Sequence, residues 1–158
     1  MHILISPNAF KNSLDATAVA KAIEEGLLQS TLNCTTEIFP IGDGGDGTGY
    51  LLTQKLGGIF VHEIVQDPLG RNREASFGYL EDSQTAIIEM ASASGLRLLQ
   101  EIELDPLHAS SYGTGELMIK ALDKGAKKII LCVGGTATVD GGAGILKALG
   151  IHFLDKNH

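Results

Sequence analysis

Glycine placement constrains this chain more than any other feature of its sequence. There are 20 glycines in 158 residues, nearly twice the average usage of about 7%, and they are not dispersed as in a flexible linker. Many gather between apolar runs: in Gly42-Asp-Gly-Gly-Asp-Gly-Thr-Gly49, in Gly113-Thr-Gly115 and in Gly134-Gly-Thr-Ala-Thr-Val-Asp-Gly-Gly-Ala-Gly144. A residue without Cβ admits backbone conformations and close approaches that other residues resist. Such clusters predict shaped loops at the junctions between elements, and the runs they separate must supply the core.

Those runs have assignable periods. His2 to Ser6 reads as a short strand, after which Ala16, Val19, Ala20, Ile23 and Leu27 recur at helical spacing. Ser13 or Asp15 is placed to cap that helix, and Asn33 lies near its end. Thr35 to Phe39 predicts a second strand, and the Asp/Gly-rich segment then leads into Tyr50 to Leu56, closed by Gly57-Gly58. Ile59 to Val65 and Glu74 to Tyr79 favour strands, joined by Asp67-Pro-Leu-Gly-Arg71, which fits a turn between antiparallel partners. Thr85 to Glu89 continues the sheet. Leu117, Met118, Ala121 and Leu122 follow the helical period as far as Gly125, and Lys128 to Val133 predicts a buried parallel strand. Ala143 to Leu149 predicts a helix stopped by Gly150, and Ile151 to Leu154 one more strand. The expected class is α/β, with layered strand–loop–helix units on a largely parallel sheet and a hairpin-like middle over 59 to 89. Asp155-Lys-Asn-His158 follows the last expected strand with no closing helix, which reads as a truncated chain.

Several functional classes are disfavoured. The longest uninterrupted apolar run, Ile129 to Val133, is far shorter than the ~20 residues of a membrane-spanning helix. Met1-His2-Ile3-Leu4-Ile5 lacks the basic region and small-residue cleavage site of a signal peptide, so the expected location is cytoplasmic. Cys34 and Cys132 are too widely separated for a short metal motif and read as reduced structural thiols. A net charge of −7 argues against a nucleic-acid surface, and it requires local donors wherever an anion is to be held.

In open α/β sheets ligands bind beyond the carboxyl ends of strands, where loops expose amides and helices present their positive ends. The first loop in that position, Pro7 to Ser13, offers the Lys11 ammonium and the Ser13 hydroxyl to a phosphate or carboxylate; a solvated Lys and a cap Ser explain the same residues. The second places Asp43 and Asp46 three apart among glycines, a spacing that lets both carboxylates approach one Mg²⁺ or a substrate hydroxyl; turn-forming Asp-Gly pairs are the plain alternative. The third, Gly134 to Gly144, carries Thr136, Thr138 and Asp140 from a buried strand into a helix, without the spacing of a Walker loop or a dinucleotide fingerprint. Tight strand–helix packing is its alternative. Glu89 at a strand end, Ser94, and the Ser111-Tyr112-Gly113-Thr114 segment add polar groups at the same edge. No histidine has metal-ligand spacing, and no nucleophile–base order supports covalent catalysis.

Five stretches in order, Ser6-Pro-Asn-Ala-Phe-Lys-Asn-Ser-Leu14, Gly42-Asp-Gly-Gly-Asp-Gly-Thr48, Ile88-Glu-Met-Ala-Ser-Ala-Ser-Gly-Leu96, Ser111-Tyr-Gly-Thr-Gly-Glu-Leu117 and Gly134 to Gly144, resemble the type 1 glycerate kinase family from Ile3 to Asp155. The family's first motif often has Asp-Ser where this chain has Asn8-Ala9, and Gly where it has Asn12, so no carboxylate stands at position 8. The resemblance implies a two-domain α/β kinase with its active site in the cleft: residues 1–60 would begin one domain and 61–158 the second, and the family continues beyond this length. It implies ATP and Mg²⁺ as cofactors, glycerate as the small-molecule substrate, and leaves a homo-oligomer open. Lys11, Asp43, Asp46 and Asp140 are then the expected catalytic residues, with Asp43 and Asp46 toward the metal. Ser13, Gly44, Gly45, Thr48, Glu89, Ser94, Tyr112, Gly113, Thr114, Gly134, Gly135 and Thr136 are expected to bind substrate or nucleotide. The expected reaction is ATP-dependent phosphorylation of D-glycerate. The alternative is an incomplete, non-catalytic ligand-binding piece of such a kinase.

Overall fold

The computed structural model describes residues 1–11 and 13–156; Asn12, where the resembled motif often has Gly, lies outside the described residues, as do Asn157 and His158. Strands β1 (His2–Ile5) and β2 (Thr35–Ile38) form a parallel pair with His2 opposite Thr35 and Ile5 opposite Ile38. Parallel neighbours need a crossover, here α1 (Ala16–Leu28), which buries Ala16, Val19 and Ala20. Of the two residues placed to cap it, Asp15 does so: its carboxylate accepts from the Ala18 amide at 2.8 Å. The pairing continues past the strands, with the Phe39 amide donating to the Ile5 carbonyl at 2.8 Å and the Ile41 amide to the Pro7 carbonyl at 3.0 Å. The loops after β1 and β2 therefore leave side by side at the carboxyl edge of the pair.

A second sheet has the order β3–β4–β5–β6, with β3 (Ile59–Gln66), β4 (Asn72–Leu80), β5 (Thr85–Glu89) and β6 (Lys128–Cys132). Its first three strands are an antiparallel meander, and β5 runs parallel to β6, with Thr85 opposite Lys128 and Glu89 opposite Cys132. The hairpin turn expected at Asp67 to Arg71 is tied by Asp67, whose Oδ1 accepts from the Leu69 and Arg71 amides at 2.8 and 2.9 Å and whose Oδ2 accepts from Arg71 Nε at 2.6 Å. Arg71 Nη1 reaches on to Glu103 at 2.5 Å, pinning the segment that crosses over the turn.

Strand β5 is central and buried on both faces, as its unbroken apolar run requires. Ala86 and Ile88 join Val65, Phe77 and Tyr79 in a core closed by Leu117 and Ala121 of α4 (Tyr112–Asp123), the crossover to β6. Each large aliphatic side chain buried there contributes about 1.5–3 kcal/mol. Ile87 points to the opposite face and is 1% exposed. On that face lies α2 (Thr48–Lys55), packed against β4 and β5. Gly78 on β4 permits the close approach, because a Cβ there would collide with Thr53 of α2. The Thr53 hydroxyl is satisfied by donating to the Gly49 carbonyl at 2.7 Å.

Directly after β5 come α3 (Met90–Ser94) and single 3-10 turns at Leu96–Leu98 and Glu101–Glu103. Helix α5 (Ala143–Ala148) packs on α4. The strand expected at Ile151 to Leu154 does not form. The Ile151 amide donates to the Leu146 carbonyl at 2.9 Å as part of the turn that ends α5, and the Phe153 ring centroid lies 6.0 Å from Lys147 Nζ, the residue being 54% exposed. A strand exists only against a neighbouring edge, and these apolar residues run beside a helix instead. Both cysteines are free, and burial of Cys132, with the Glu89 charge nearby, pushes its thiol pKa up. None of the helices of the described residues is long and apolar enough to cross a membrane.

Candidate functional site

The Gly-rich loops meet. The carbonyl of Gly44 accepts from the Gly134 amide at 2.7 Å, and a Cβ on Gly134 would lie 2.5 Å from the Cα of Gly45. Only glycine at 134 allows the second and third loops to touch along their backbones. The third loop is also stitched to the end of α3: the Gly135 carbonyl accepts from the Leu96 amide and the Ser94 carbonyl from the Ala137 amide, both at 2.9 Å, with a bridge between Gly95 and Thr136. Arg97, in the turn that follows, places its Nε 3.2 Å from Asp46 Oδ1. Residues 42–49, 90–97 and 134–137 are thereby one connected rim.

Asp43 sits at the exposed mouth of this rim. Its Oδ1 accepts from the Gly45 amide at 3.0 Å. That bond first, then the Asn8 side chain and, more weakly, the Lys11 charge hold its carboxyl below the ordinary range against partial desolvation. The first loop therefore does face the second, with Asn8 and Lys11 beside Asp43. Asp46 is close in sequence but directed elsewhere, to Arg97. Among the described residues no group of three or more His, Cys, Asp or Glu side chains converges as a metal cage. Mg²⁺ commonly needs only one or two carboxylates when substrate phosphates complete its shell, and the exposed Asp43 carboxylate fits that requirement. Ser13 is exposed, its amide donating to the Phe10 carbonyl at 2.9 Å.

Other expected site residues are committed to the scaffold. Asp140 Oδ2 accepts from the Ser111 amide at 2.9 Å, the Ser111 hydroxyl at 2.8 Å and the Gly144 amide at 3.0 Å, and its Oδ1 from the Gly142 amide at 3.1 Å. Burial works against its ionisation, but those donors outweigh burial and keep its pKa below the ordinary value. This carboxylate joins the start of α4 to the start of α5. The Ser94 and Thr114 hydroxyls bond each other at 2.8 Å, both fully buried. Glu89 Oε1 accepts from the Gly49 and Tyr50 amides at 2.6 and 3.2 Å, so the positive end of α2 is already met by a carboxylate of the chain itself. Thr48 accepts from the Gly44 amide at 3.0 Å and braces the second loop. Gly113 lies against the Gln66 carbonyl, and Tyr112, half-buried, takes its place in the first turn of α4 with its amide donating to Ser110 at 3.2 Å.

A cleft of about 860 Å³ opens beside the rim, between the start of α1, helix α2 and the outer face of β3–β5. Its walls include Lys21, Arg97, Tyr50, Gln54 and Phe60, none of which stood out in the sequence. Arg97 immediately follows Leu96, the end of the third of the five resembling stretches, and only its charge beside a motif could have signalled it. The aromatics carried no signal, because α2 docking is what brings them together.

The chain matches the model of the glycerate kinase family over residues 3–158. It is 45% identical over 157 residues to a glycerate 2-kinase of Escherichia coli (strain K12), covering 99% of this chain and 41% of that protein. It is 44% identical over 155 residues to a glycerate kinase of Halalkalibacterium halodurans, covering 98% of this chain and 41% of the relative. The crystal structure of a protein assigned as glycerate kinase 2 from Salmonella typhimurium LT2 superposes with a TM-score of 0.76 at 43% identity, over 99% of this chain and 42% of its own. The chain thus spans about 41% of the length of these curated relatives.

Proposed function

Because the chain belongs to the glycerate kinase family, we propose that its loop cluster is part of the active site of an ATP-dependent kinase that transfers a phosphoryl group to D-glycerate. The observation that carries this is the contact of the Gly44 carbonyl with the Gly134 amide at 2.7 Å, which brings the second and third loops together at one mouth with Lys11 and an ionised Asp43. Phosphoryl transfer asks little covalent chemistry of a protein; it requires that anions be held in line and that developing charge be met. Lys11 and the Gly135 amide hold anionic oxygens, with the Ser13 and Thr136 hydroxyls beside them, while the Gly44, Gly45 and Gly134 amides are bonded to Thr48, Asp43 and the Gly44 carbonyl and keep the loops in shape. Asp43, kept ionised by its donors, orients the glycerate hydroxyl or a cation. Mg²⁺, held by Asp43 and by substrate oxygens, would supply neutralising charge to the phosphates. Asp46 is positioned by Arg97, and Asp140 serves the site by fixing the exit of the third loop. We place the enzyme in the cytoplasm, acting on small molecules, with residues 1–60 and 61–158 as the beginnings of two domains that flank the cleft.

The coverage of about 41% of the relatives' length favours a second reading, in which this chain binds ligands without turning them over. ADP release in the presence of D-glycerate, ATP and Mg²⁺, measured together with calorimetric binding of each substrate, separates the two. Turnover supports the kinase as it stands, and binding without turnover supports the second reading. Binding of neither substrate refutes both.

A further inference from the structure

Tyr50 and Phe60 form a stacked pair on the wall of the cleft, with ring centroids 5.2 Å apart and planes inclined by 20°. Tyr50 stands in the first turn of α2, Phe60 near the start of β3, and they are 49% and 37% exposed. Rings recruited only for packing are drawn into the core, where burial stabilises them; these two keep ring surface open to the cleft. One helical turn beyond Tyr50, Gln54 Nε2 donates to the Tyr50 hydroxyl at 2.6 Å. That bond fixes the phenol and leaves the Gln54 carboxamide oxygen without a partner among the described residues.

The charges of the same cleft are unevenly satisfied. Its carboxylates are occupied: Asp46 pairs with Arg97 at 3.2 Å, Glu89 accepts the Gly49 and Tyr50 amides, and Asp15 caps α1. Lys21, also on the cleft wall, has no carboxylate partner among the described residues. A ligand suited to these walls has a flat π-face with an amino group at one end and negative charge at the other. An apolar peptide would use the rings and leave the cation unanswered.

We propose that the Tyr50–Phe60 pair, with the Gln54 carboxamide beside it, is the seat of the purine base of ATP. The base stacks on the exposed ring surface, its exocyclic amine donates to the Gln54 oxygen, and Lys21 lies within the same cleft for the phosphate chain. The assignment rests on the kinase reading above and adds the element that distinguishes a nucleotide from a bare polyphosphate. Stacking of a base on an aromatic side chain typically changes affinity by roughly tenfold or more.

The test uses the 158-residue chain in titrations with ATP, inorganic tripolyphosphate and D-glycerate. Tyr50→Ala and Phe60→Ala are each expected to weaken ATP by roughly tenfold while leaving tripolyphosphate and glycerate unchanged, and Tyr50→Phe is expected to retain most of the affinity. Because Tyr50 is half exposed, its truncation should leave the circular dichroism spectrum intact, and Gln54→Ala, which removes no ring, provides an independent variant expected to narrow the preference for ATP over GTP. Unchanged ATP affinity in both alanine variants overturns the base seat while leaving the kinase reading in place. So does a loss of tripolyphosphate binding equal to the loss of ATP binding. A chain that binds neither ATP nor glycerate overturns the kinase reading and the base seat with it.

Discussion

Lys11 and Asp140 show how differently two charged loop residues can be used. Lys11 is exposed beside Asp43, and in the proposed function it meets a ligand anion; a charge-assisted hydrogen bond of that kind is worth ~1.5–3 kcal/mol. Lys11→Ala should therefore weaken anionic substrate binding by roughly tenfold to a hundredfold, with unfolding by urea unaffected. Asp140 has the opposite profile, since both its oxygens are used by Ser111, Gly142 and Gly144. Asp140→Ala leaves those donors without their acceptor and should cost about 2–3 kcal/mol of stability, read as a shift in the urea midpoint. Its depressed folded pKa also fixes a sign. The unfolded chain takes up the proton first on acidification, so the stabilisation is whole above about pH 4 and is lost as pH falls through the folded value. The stability gap between the native chain and Asp140→Asn should accordingly narrow at low pH; a gap that widens contradicts this account. Sequence placed both residues in loops but could not separate their roles, because the donors to Asp140 are the Ser111 hydroxyl and backbone amides brought in at the starts of α4 and α5.

At the scale of elements, most of the fold was legible. Apolar runs of the right period lie between glycine clusters, and β1 to β6, α1, α2, α4 and α5 all form within a residue or two of where those runs place them. Helix α3 and the 3-10 turns escaped notice because they are shorter than the helical period needs to declare itself, and tertiary bonds such as Leu96 to Gly135 hold them. The failed strand at 151–154 has the composition of a strand and no edge to join. The loop–loop contact makes its own prediction. Gly134→Ala sets a methyl group against Gly45 Cα, so the two loops must part. We expect faster protease cleavage between residues 42 and 49 and loss of anion binding, with the cores of both sheets retained by circular dichroism. Retained binding in a folded Gly134→Ala protein would show that the loops need not touch.

Across the whole molecule, the two sheets differ in how well each is enclosed. The β3–β6 sheet carries a core buried by α4 on one face and contacted by α2 on the other, whereas β1–β2 is a two-stranded pair with Leu4 57% and Phe39 43% exposed at its flanks. Isolated two-stranded pairs are marginal, and amide exchange follows local enclosure. Amides of β5 should exchange most slowly and those of β1 and β2 clearly faster, measured by deuterium uptake; equal protection would mean that the small pair draws support from surfaces other than those described. The meeting of Gly44 with Gly134 has a consequence in time as well as in space. Those residues belong to opposite ends of the chain, and distant partners find each other only after the segments between them are in place. On the ribosome the early aspartate-rich bend would emerge long before its mate, so ligand capture should switch on only once Gly134 has emerged, and not with the residues of the first bend alone.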